Sequence, residues 1–339
     1  MNNRRPMTRP MTTRPHPRRH ARRRRRRRGC APRVLALFLI ILIASIWAYT
    51  LFAGNSEPTI IDYENQNPVT AQPQEGGQSP QPNEETPEEP ALPSRLPDIS
   101  LAATAARSIQ NTGYLALVNH SFAAPGDPGS YLLSPAWPTV AVARIEGTYL
   151  HQSALRAVSD MFASARAADM NAFFVSSGFR DFSHQEYLYG DGSAGNLIMP
   201  PGHSEHQTGL AADIMVVGLG MWDLVDAPEG QWLANNSYRY GLVLRYPQGA
   251  EHITGIDFEP WHFRYVGQVH AYYMMNNGFV LEEYIQYIRD RGHFSFEKNG
   301  ITHYVFHQEP AGGMIYVPQG RDFTMSGDNK GGYIIWTTQ

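Results

Sequence analysis

Fourteen consecutive residues, Pro200-Pro201-Gly202-His203-Ser204-Glu205-His206-Gln207-Thr208-Gly209-Leu210-Ala211-Ala212-Asp213, hold two imidazoles, two carboxylates, two hydroxyls and an amide. They open on a Pro-Pro-Gly turn and run into the apolar stretch Ile214-Met215-Val216-Val217. A loop dense in ligating side chains that feeds a buried strand is a setting in which metal and catalytic sites are built. Two other segments concentrate polar residues beside apolar runs: Ser176-Ser177-Gly178-Phe179-Arg180-Asp181-Phe182-Ser183-His184-Gln185 and Glu259-Pro260-Trp261-His262-Phe263-Arg264.

A catalytic zinc takes about three protein ligands and leaves a position for water. The only cysteine, Cys30, precedes a long apolar run and lies far from these segments, so the ligands must be nitrogen and oxygen. His206 in the loop and Asp213 in the strand it feeds make a plausible pair, with His262 the third from a neighbouring strand. Glu259 is the candidate general base. Strict strand alternation would place a residue three before His262 on the opposite face, but Pro260 bends the chain there and frees Glu259 to turn inward. Taken singly, each residue has an ordinary reading as well. His206 reads as a hydrogen-bonded loop histidine, Asp213 as a turn or cap residue, Arg180 as a surface salt bridge of little energy, Trp261 as core. His203 and Glu205 read as solvent-exposed. His184, His252, His270, His303 and His307 lack a strand-end setting and read as ordinary polar residues. Gln207 reads as support for the loop.

The elements that must position these side chains follow from periodicity. Residues 261–266 alternate, with Trp261, Phe263 and Tyr265 on one face and His262 and Arg264 on the other. Strands are also expected at 114–119, 131–133, 172–176, 208–217 and 241–247. An apolar stripe of Leu150, Leu155, Val158, Met161, Phe162 and Ala165 predicts a helix over about 148–169. Further helices are expected at 230–238, at 268–277 closed by Gly278, and at 281–291 closed by Gly292. Asn299-Gly300 between two apolar-aromatic runs predicts a hairpin. This irregular mixture points to an α+β domain with a small, largely antiparallel sheet and packed helices, not a doubly wound fold.

Charge is segregated along the chain. Residues 1–53 hold 14 Arg and no acid, which leaves 14 basic residues against all 31 acids beyond them, a formal charge of −17. So acidic a body excludes the electrostatics of a nucleic-acid binder. Residues 34–53 are 20 uncharged residues without proline, long enough to cross a hydrocarbon core of ~30 Å as a helix. With the arginines on one side only, the N-terminus is expected in the cytoplasm and everything from about Gly54 outside. The run exceeds the ~7–15 apolar residues of a signal peptide, so it reads as an uncleaved single-pass anchor in the cell membrane. Residues 54–98, rich in Pro, Gln, Glu, Asn and Gly, read as a disordered extracytoplasmic tether. The expected division is thus a 1–33 Arg-rich cytoplasmic tail, a 34–53 transmembrane anchor, a 54–98 linker, a 99–291 folded domain and a 292–339 C-terminal β element.

Three motifs in sequence, S-G-F-R-x4-Q from Ser177, P-G-x-S-E-H-Q-x-G-x-A-x-D from Pro201 and E-P-W-H-F-R-Y-V-G from Glu259, resemble the zinc D-Ala-D-Ala carboxypeptidases of the VanY type. These belong to the wider LAS metallopeptidases (lysostaphin, D-Ala-D-Ala peptidases, sonic hedgehog). The resemblance covers roughly residues 100–291 and leaves the stretch from about 293 uncovered. It implies one zinc ion held by His206, Asp213 and His262, with Glu259 as catalytic base and Arg180 against the scissile carbonyl. It implies that Gln185 and Ser204, and more weakly Ser177, hold the substrate's peptide end. The expected reaction is hydrolysis of the terminal D-Ala-D-Ala bond of peptidoglycan stem peptides, releasing D-Ala. A D-Ala-D-Ala dipeptidase or an L-Ala-D-Glu endopeptidase of the same fold is the alternative. A non-catalytic, membrane-anchored peptidoglycan-binding protein is a second, and an intact base argues against it. Arg264 shares a strand face with His262 and is read as orienting it or binding a carboxylate.

Overall fold

The computed structural model describes residues 99–126, 133–135, 148–193 and 195–339. The expected anchor and tether lie outside the described residues, and among the described ones no helix is long and apolar enough to cross a membrane. Among the described residues twelve strands follow in chain order: β1 Leu101–Ala105, β2 Leu133–Pro135, β3 Tyr149–His151, β4 Phe173–Ser177, β5 Ala211–Val216, β6 Leu242–Leu244, β7 His262–Tyr265, β8 His293–Lys298, β9 Ile301–Gln308, β10 Met314–Pro318, β11 Phe323–Gly327 and β12 Tyr333–Thr338. The expected mixed architecture is present, but the strands form more than one small sheet. Two four-stranded sheets have the orders β4-β5-β7-β6 and β11-β12-β9-β8, and β1-β10 and β2-β3 are two-stranded. All these ladders are antiparallel.

The β4-β5-β7-β6 sheet carries the site. One of its faces buries Phe173, Val175, Ala212, Ile214, Trp261 and Phe263 against Leu155, Val158, Met161 and Phe162 of the helix Gln152–Ala167. Because side chains alternate, Asp213 and His262, which are register partners, face the other way. A bulge between Val175 and Ser177 then matters. Val175 pairs with Ile214 on the core side, whereas Ser177 pairs with Asp213 on the site side. One extra residue re-aims the end of β4 from the core to the site, the usual use of a bulge.

The C-terminal sheet does not stand apart. Phe294, Val305 and Ile334 share one buried cluster with Leu115, Leu117, Val243, Val266 and the helices Gln268–Asn277 and Leu281–Arg291. The hairpin lies where expected, with Asn299 and Gly300 both at positive φ (54° and 75°) between β8 and β9, as a type I′ turn requires. Both helices near the C-terminus match expectation, closed by Gly278 at φ 69° and Gly292 at φ 72°.

Three expectations differ. Residues 114–119 form no strand. Their backbone is bonded by side chains instead: Ser326 Oγ accepts from Leu115 N–H at 2.9 Å, and Arg264 Nη2 donates to the carbonyls of Tyr114 and Ala116 at 3.1 and 3.0 Å. The helix expected from 148 starts at Gln152, because Tyr149–His151 pairs as a strand with Leu133–Pro135. His151 caps that helix, its Nδ1 accepting from Ser153 N–H at 3.1 Å. The strand expected over 208–217 starts only at Ala211, since Glu205–Thr208 forms a 3-10 turn ended by Gly209 in the left-handed region.

Candidate metal centre

Three elements deliver the cluster foreseen from the sequence. The 3-10 turn brings His206, β5 brings Asp213 and β7 brings His262; all three are buried, and one ligating atom of each lies within 4.8 Å of the others. Among the described residues this is the group of histidines and carboxylates arranged to hold a metal ion. His206 Nδ1 donates to the Gly178 carbonyl at 2.6 Å, so its Nε2 faces Asp213 Oδ1 at 3.4 Å. His262 turns the opposite nitrogen inward: its Nδ1 donates to Asp213 Oδ1 at 3.0 Å. The two imidazoles meet edge to face at 4.9 Å. Two nitrogens and one carboxylate oxygen, each histidine having its other nitrogen turned to a protein acceptor, form a donor set that suits zinc.

Glu259 reaches the cluster from the entrance of β7, as the bend at Pro260 allows. Its Oε2 is 3.7 Å from His262 Nδ1, its backbone N–H is held by the Tyr246 carbonyl at 3.0 Å, and it is buried. Arg180 lies on the other side. Its Nη2 donates to Asp213 Oδ2 at 2.8 Å, its Nε to Ser177 Oγ at 2.9 Å and its Nη1 to Gln185 Oε1 at 3.4 Å. The expected surface salt bridge is therefore a half-buried clamp on a candidate ligand. Gln185 exposes no surface, and its amide nitrogen is spent on the Met199 carbonyl at 2.7 Å. Ser204 is buried at the start of the 3-10 turn. Gln207 supports this loop as expected, its Oε1 accepting from Gly202 N–H at 2.7 Å and Ser204 N–H at 3.4 Å.

Glu205 and His203 are not solvated. Glu205 is 1% exposed and ion-paired at Oε1 with Arg245 Nε at 2.8 Å and Arg264 Nη1 at 2.9 Å. Of the two roles read for Arg264, the structure thus shows the binding of a carboxylate. His203 is half-buried, its Nδ1 donating to the Asn119 carbonyl at 2.8 Å. A signal for Glu205 was available: Arg245 and Arg264 both sit in strand-like apolar runs, and a buried guanidinium needs a carboxylate.

Electrostatics divide the cluster. Burial, reinforced by the Arg180 charge, lowers His206 to about 4, so its ring is neutral at physiological pH. Burial also lowers His262, but the carboxylates beside it, Asp213 hydrogen-bonded at Nδ1 and Glu205 at 3.6 Å from Nε2, outweigh it and lift the ring to about 9. Burial raises the Glu259 carboxyl to about 8, against the opposing charge of His262. Burial would raise Asp213 too, but His206, His262 and Arg180 hold it well below the usual carboxylate range.

Gly178 is where the wall of the site is tightest. A Cβ there would stand 2.3 Å from the Tyr149 carbonyl oxygen, a backbone atom that cannot step aside. Because the Gly178 carbonyl also orients His206, Gly178→Ala is expected to cost about 1–3 kcal/mol of stability and to weaken metal binding. Thermal unfolding with and without metal checks both.

A family model described as VanY: D-alanyl-D-alanine carboxypeptidase matches residues 147–268, the stretch that holds all of these side chains. The chain is 36% identical over 188 residues to a D-alanyl-D-alanine carboxypeptidase of Enterococcus faecium, covering 55% of this chain and 61% of that protein. It is 35% identical over 195 residues to the putative carboxypeptidase YodJ of Bacillus subtilis (strain 168), covering 54% of this chain and 71% of that protein. Among solved structures it resembles the vancomycin resistance D,D-dipeptidase VanXYg in complex with a D-Ala-D-Ala phosphinate analog, with a TM-score of 0.62 at 27% identity, covering 71% of this chain and 99% of that one. The sequence motifs, the converging His206, Asp213 and His262, and these likenesses agree that the chain belongs to the VanY family of D-alanyl-D-alanine carboxypeptidases.

Proposed function

We propose that this protein is a zinc-dependent D-alanyl-D-alanine carboxypeptidase that removes the terminal D-Ala from peptidoglycan stem peptides. The observation that carries the reading is the convergence of His206 Nε2, Asp213 Oδ1 and His262 Nδ1 beside Glu259 and Arg180 in a chain of this family. One zinc ion, which those three residues would hold, would supply Lewis acidity and lower the pKa of a bound water toward neutrality. Glu259 is placed to take that water's proton and return it to the leaving amine. Arg180 brings a fixed positive charge to the side where the carbonyl oxygen becomes an oxyanion, an effect whose loss costs ~10²–10³ in rate. Ser177 and Ser204 are assigned to the peptide end of the substrate. Gln185, which exposes no surface, acts there through Arg180.

The same reading places the enzyme outside the cell. Residues 34–53 serve as the anchor with the N-terminus cytoplasmic, and residues 54–98 let the catalytic domain reach stem peptides in the wall. The arginine-rich flank on one side only and the acidic composition beyond support this, and the acidic composition disfavours nucleic acid.

Incubating the full chain with muropeptides ending in D-Ala-D-Ala and weighing the products tests the activity. Loss of a single alanine is expected. The likeness to VanXYg favours a second reading, D,D-dipeptidase activity, which would split free D-Ala-D-Ala into two alanines and leave the muropeptides intact. Cleavage between L-Ala and D-Glu, or no cleavage of either muropeptide or free D-Ala-D-Ala by zinc-loaded protein, would reject both.

Zinc binding also has a proton stoichiometry. At pH 7 His262 (about 9) and Glu259 (about 8) carry protons in the metal-free protein, while His206 (about 4) does not. Ligation needs the His262 Nδ1 lone pair, and a nearby dication favours ionised Glu259. Binding at pH 7 should therefore release between one and two protons, and affinity should rise with pH until about 9. Calorimetry in buffers of different ionisation enthalpy measures the number. Release of no proton would mean that His262 is not a ligand.

A further inference from the structure

Behind His262 lies a buried charge cluster that the catalytic reading does not use. Arg245 donates through Nε to Glu205 Oε1 at 2.8 Å and grips Glu282 with both terminal nitrogens, at 2.8 and 2.7 Å. Arg264, on the same strand face as His262, pairs with that same Glu205 oxygen at 2.9 Å and anchors its other nitrogens on the carbonyls of Tyr114, Ala116 and Tyr265. Both guanidiniums and the Glu205 side chain are fully buried. Two arginines against two glutamates balance in charge, so the cluster does not need a further anion.

One pair in this cluster is incomplete. Glu205 Oε2 and His262 Nε2 each lack a hydrogen-bond partner among the described residues, and they face each other at 3.6 Å. Closing by about half an ångström brings them into hydrogen-bond range. A buried carboxylate oxygen and a buried ring nitrogen, each otherwise orphaned, are each other's remaining partners. A carboxylate already holding two guanidiniums has little proton affinity left, so it accepts the His262 Nε2–H hydrogen bond without removing the proton. The other nitrogen, Nδ1, points at Asp213 Oδ1 and the open side of the site.

We propose that Glu205 is the positioning residue of His262: clamped by Arg245 and Arg264, its free oxygen keeps the proton on Nε2 and so commits Nδ1 to the metal. This rests on the zinc reading above. It assigns Glu205 a task distinct from the base Glu259, which approaches the same ring from the Nδ1 side at 3.7 Å. Carboxylates placed behind a ligating imidazole raise its basicity and fix its tautomer, and their loss typically lowers metal affinity by ~10–100-fold.

The experiment uses the full chain in detergent. In zinc-loaded wild type, nitrogen-15 spectra of the His262 imidazole are expected to show metal on Nδ1 and a slowly exchanging proton on Nε2; metal on Nε2 overturns the proposal whatever the variants do. Glu205→Gln keeps the shape but loses the charge, and Glu205→Asp keeps the charge but withdraws it from the ring. Each is expected to weaken zinc binding about 10–100-fold in a chelator competition, and to shift the Nε2–H resonance while the fold of the metal-free form is retained. Wild-type affinity together with an unshifted resonance in a folded variant also overturns it. If the variants do not fold, the wild-type spectrum decides. Failure of the zinc reading itself would look different: wild type would hold no zinc at all.

Discussion

Glu259→Gln is expected to leave a folded protein that still binds one zinc ion and to lower D-Ala release by ~10²–10⁴-fold. Glu259 is outside the three-residue cluster, touching it only through the 3.7 Å approach to His262 Nδ1, so metal content should stay stoichiometric. The carboxyl is buried, and glutamine preserves its volume and avoids the cavity that alanine would leave. What glutamine cannot do is accept a proton. Burial, joined by the Asp213 and Asp257 charges, lifts the carboxyl to about 8 against the attraction of His262 and Arg180; a bound dication adds a further pull downward. The group then titrates near working pH, where a residue that takes a proton in one step and gives it back in the next is most effective. The measurement is metal analysis paired with D-Ala release. A variant that cleaves at the wild-type rate removes Glu259 from the role of base, and one that has lost its zinc makes it a ligand instead. The same pair of numbers separates an enzyme from a wall-binding protein that kept the fold, since binding alone has no use for a base.

How much of this was legible depends on whether the determinant was local. Gly278 and Gly292 end their helices because each adopts positive φ, and Asn299-Gly300 turns its hairpin for the same reason; those signals sit in the residues themselves. The convergence of His206, Asp213 and His262 was legible through motif resemblance, and the inward turn of Glu259 through the bend at Pro260. Residues 114–119 failed because scattered distant groups, among them the Asp328 carbonyl, bond their backbone in place of a strand ladder. Their apolar side chains are buried as a strand's would be, but Ser326 and Arg264 bond the backbone. Glu205 failed for a related reason. Between a serine and a histidine in a polar loop it looks solvated, and its burial is decided by arginines on two later strands. The bulge in β4 was equally hidden, since an extra residue in a run of Phe-Phe-Val-Ser-Ser changes nothing in its composition while turning Ser177 toward Asp213.

Asp213→Ala should abolish stoichiometric zinc and, with it, activity. Asp213 is the hinge of the cluster: Oδ1 faces both His262 Nδ1 at 3.0 Å and His206 Nε2 at 3.4 Å, while Oδ2 holds Arg180 at 2.8 Å. His206→Ala is the informative companion, because it deletes a donor but leaves the Arg180–Asp213 pair standing. Both variants should lose metal; full zinc content in either removes that residue from the ligand set. Stability provides a second readout. Wild type at free zinc one hundred times its dissociation constant gains about 2.7 kcal/mol, seen as a rise in Tm, and neither variant should gain it. Without metal the two should diverge with pH. Burial works against ionised Asp213, but His206, His262 and Arg180 win and hold it well below its ordinary 3.8. A depressed carboxyl stabilises the fold above its unfolded pKa, and that contribution is lost as pH falls toward the lower folded value. The metal-free His206→Ala protein should therefore lose the largest part of this acid sensitivity, which His206 supplies, and keep the part that His262 and Arg180 supply. The Asp213→Ala protein should lose it, and its Arg180, freed from Asp213, should retain only its contacts to Ser177 and Gln185. Identical acid unfolding of the two variants would mean that Asp213 does not anchor Arg180 in solution, leaving the orientation of the guanidinium to the other two contacts.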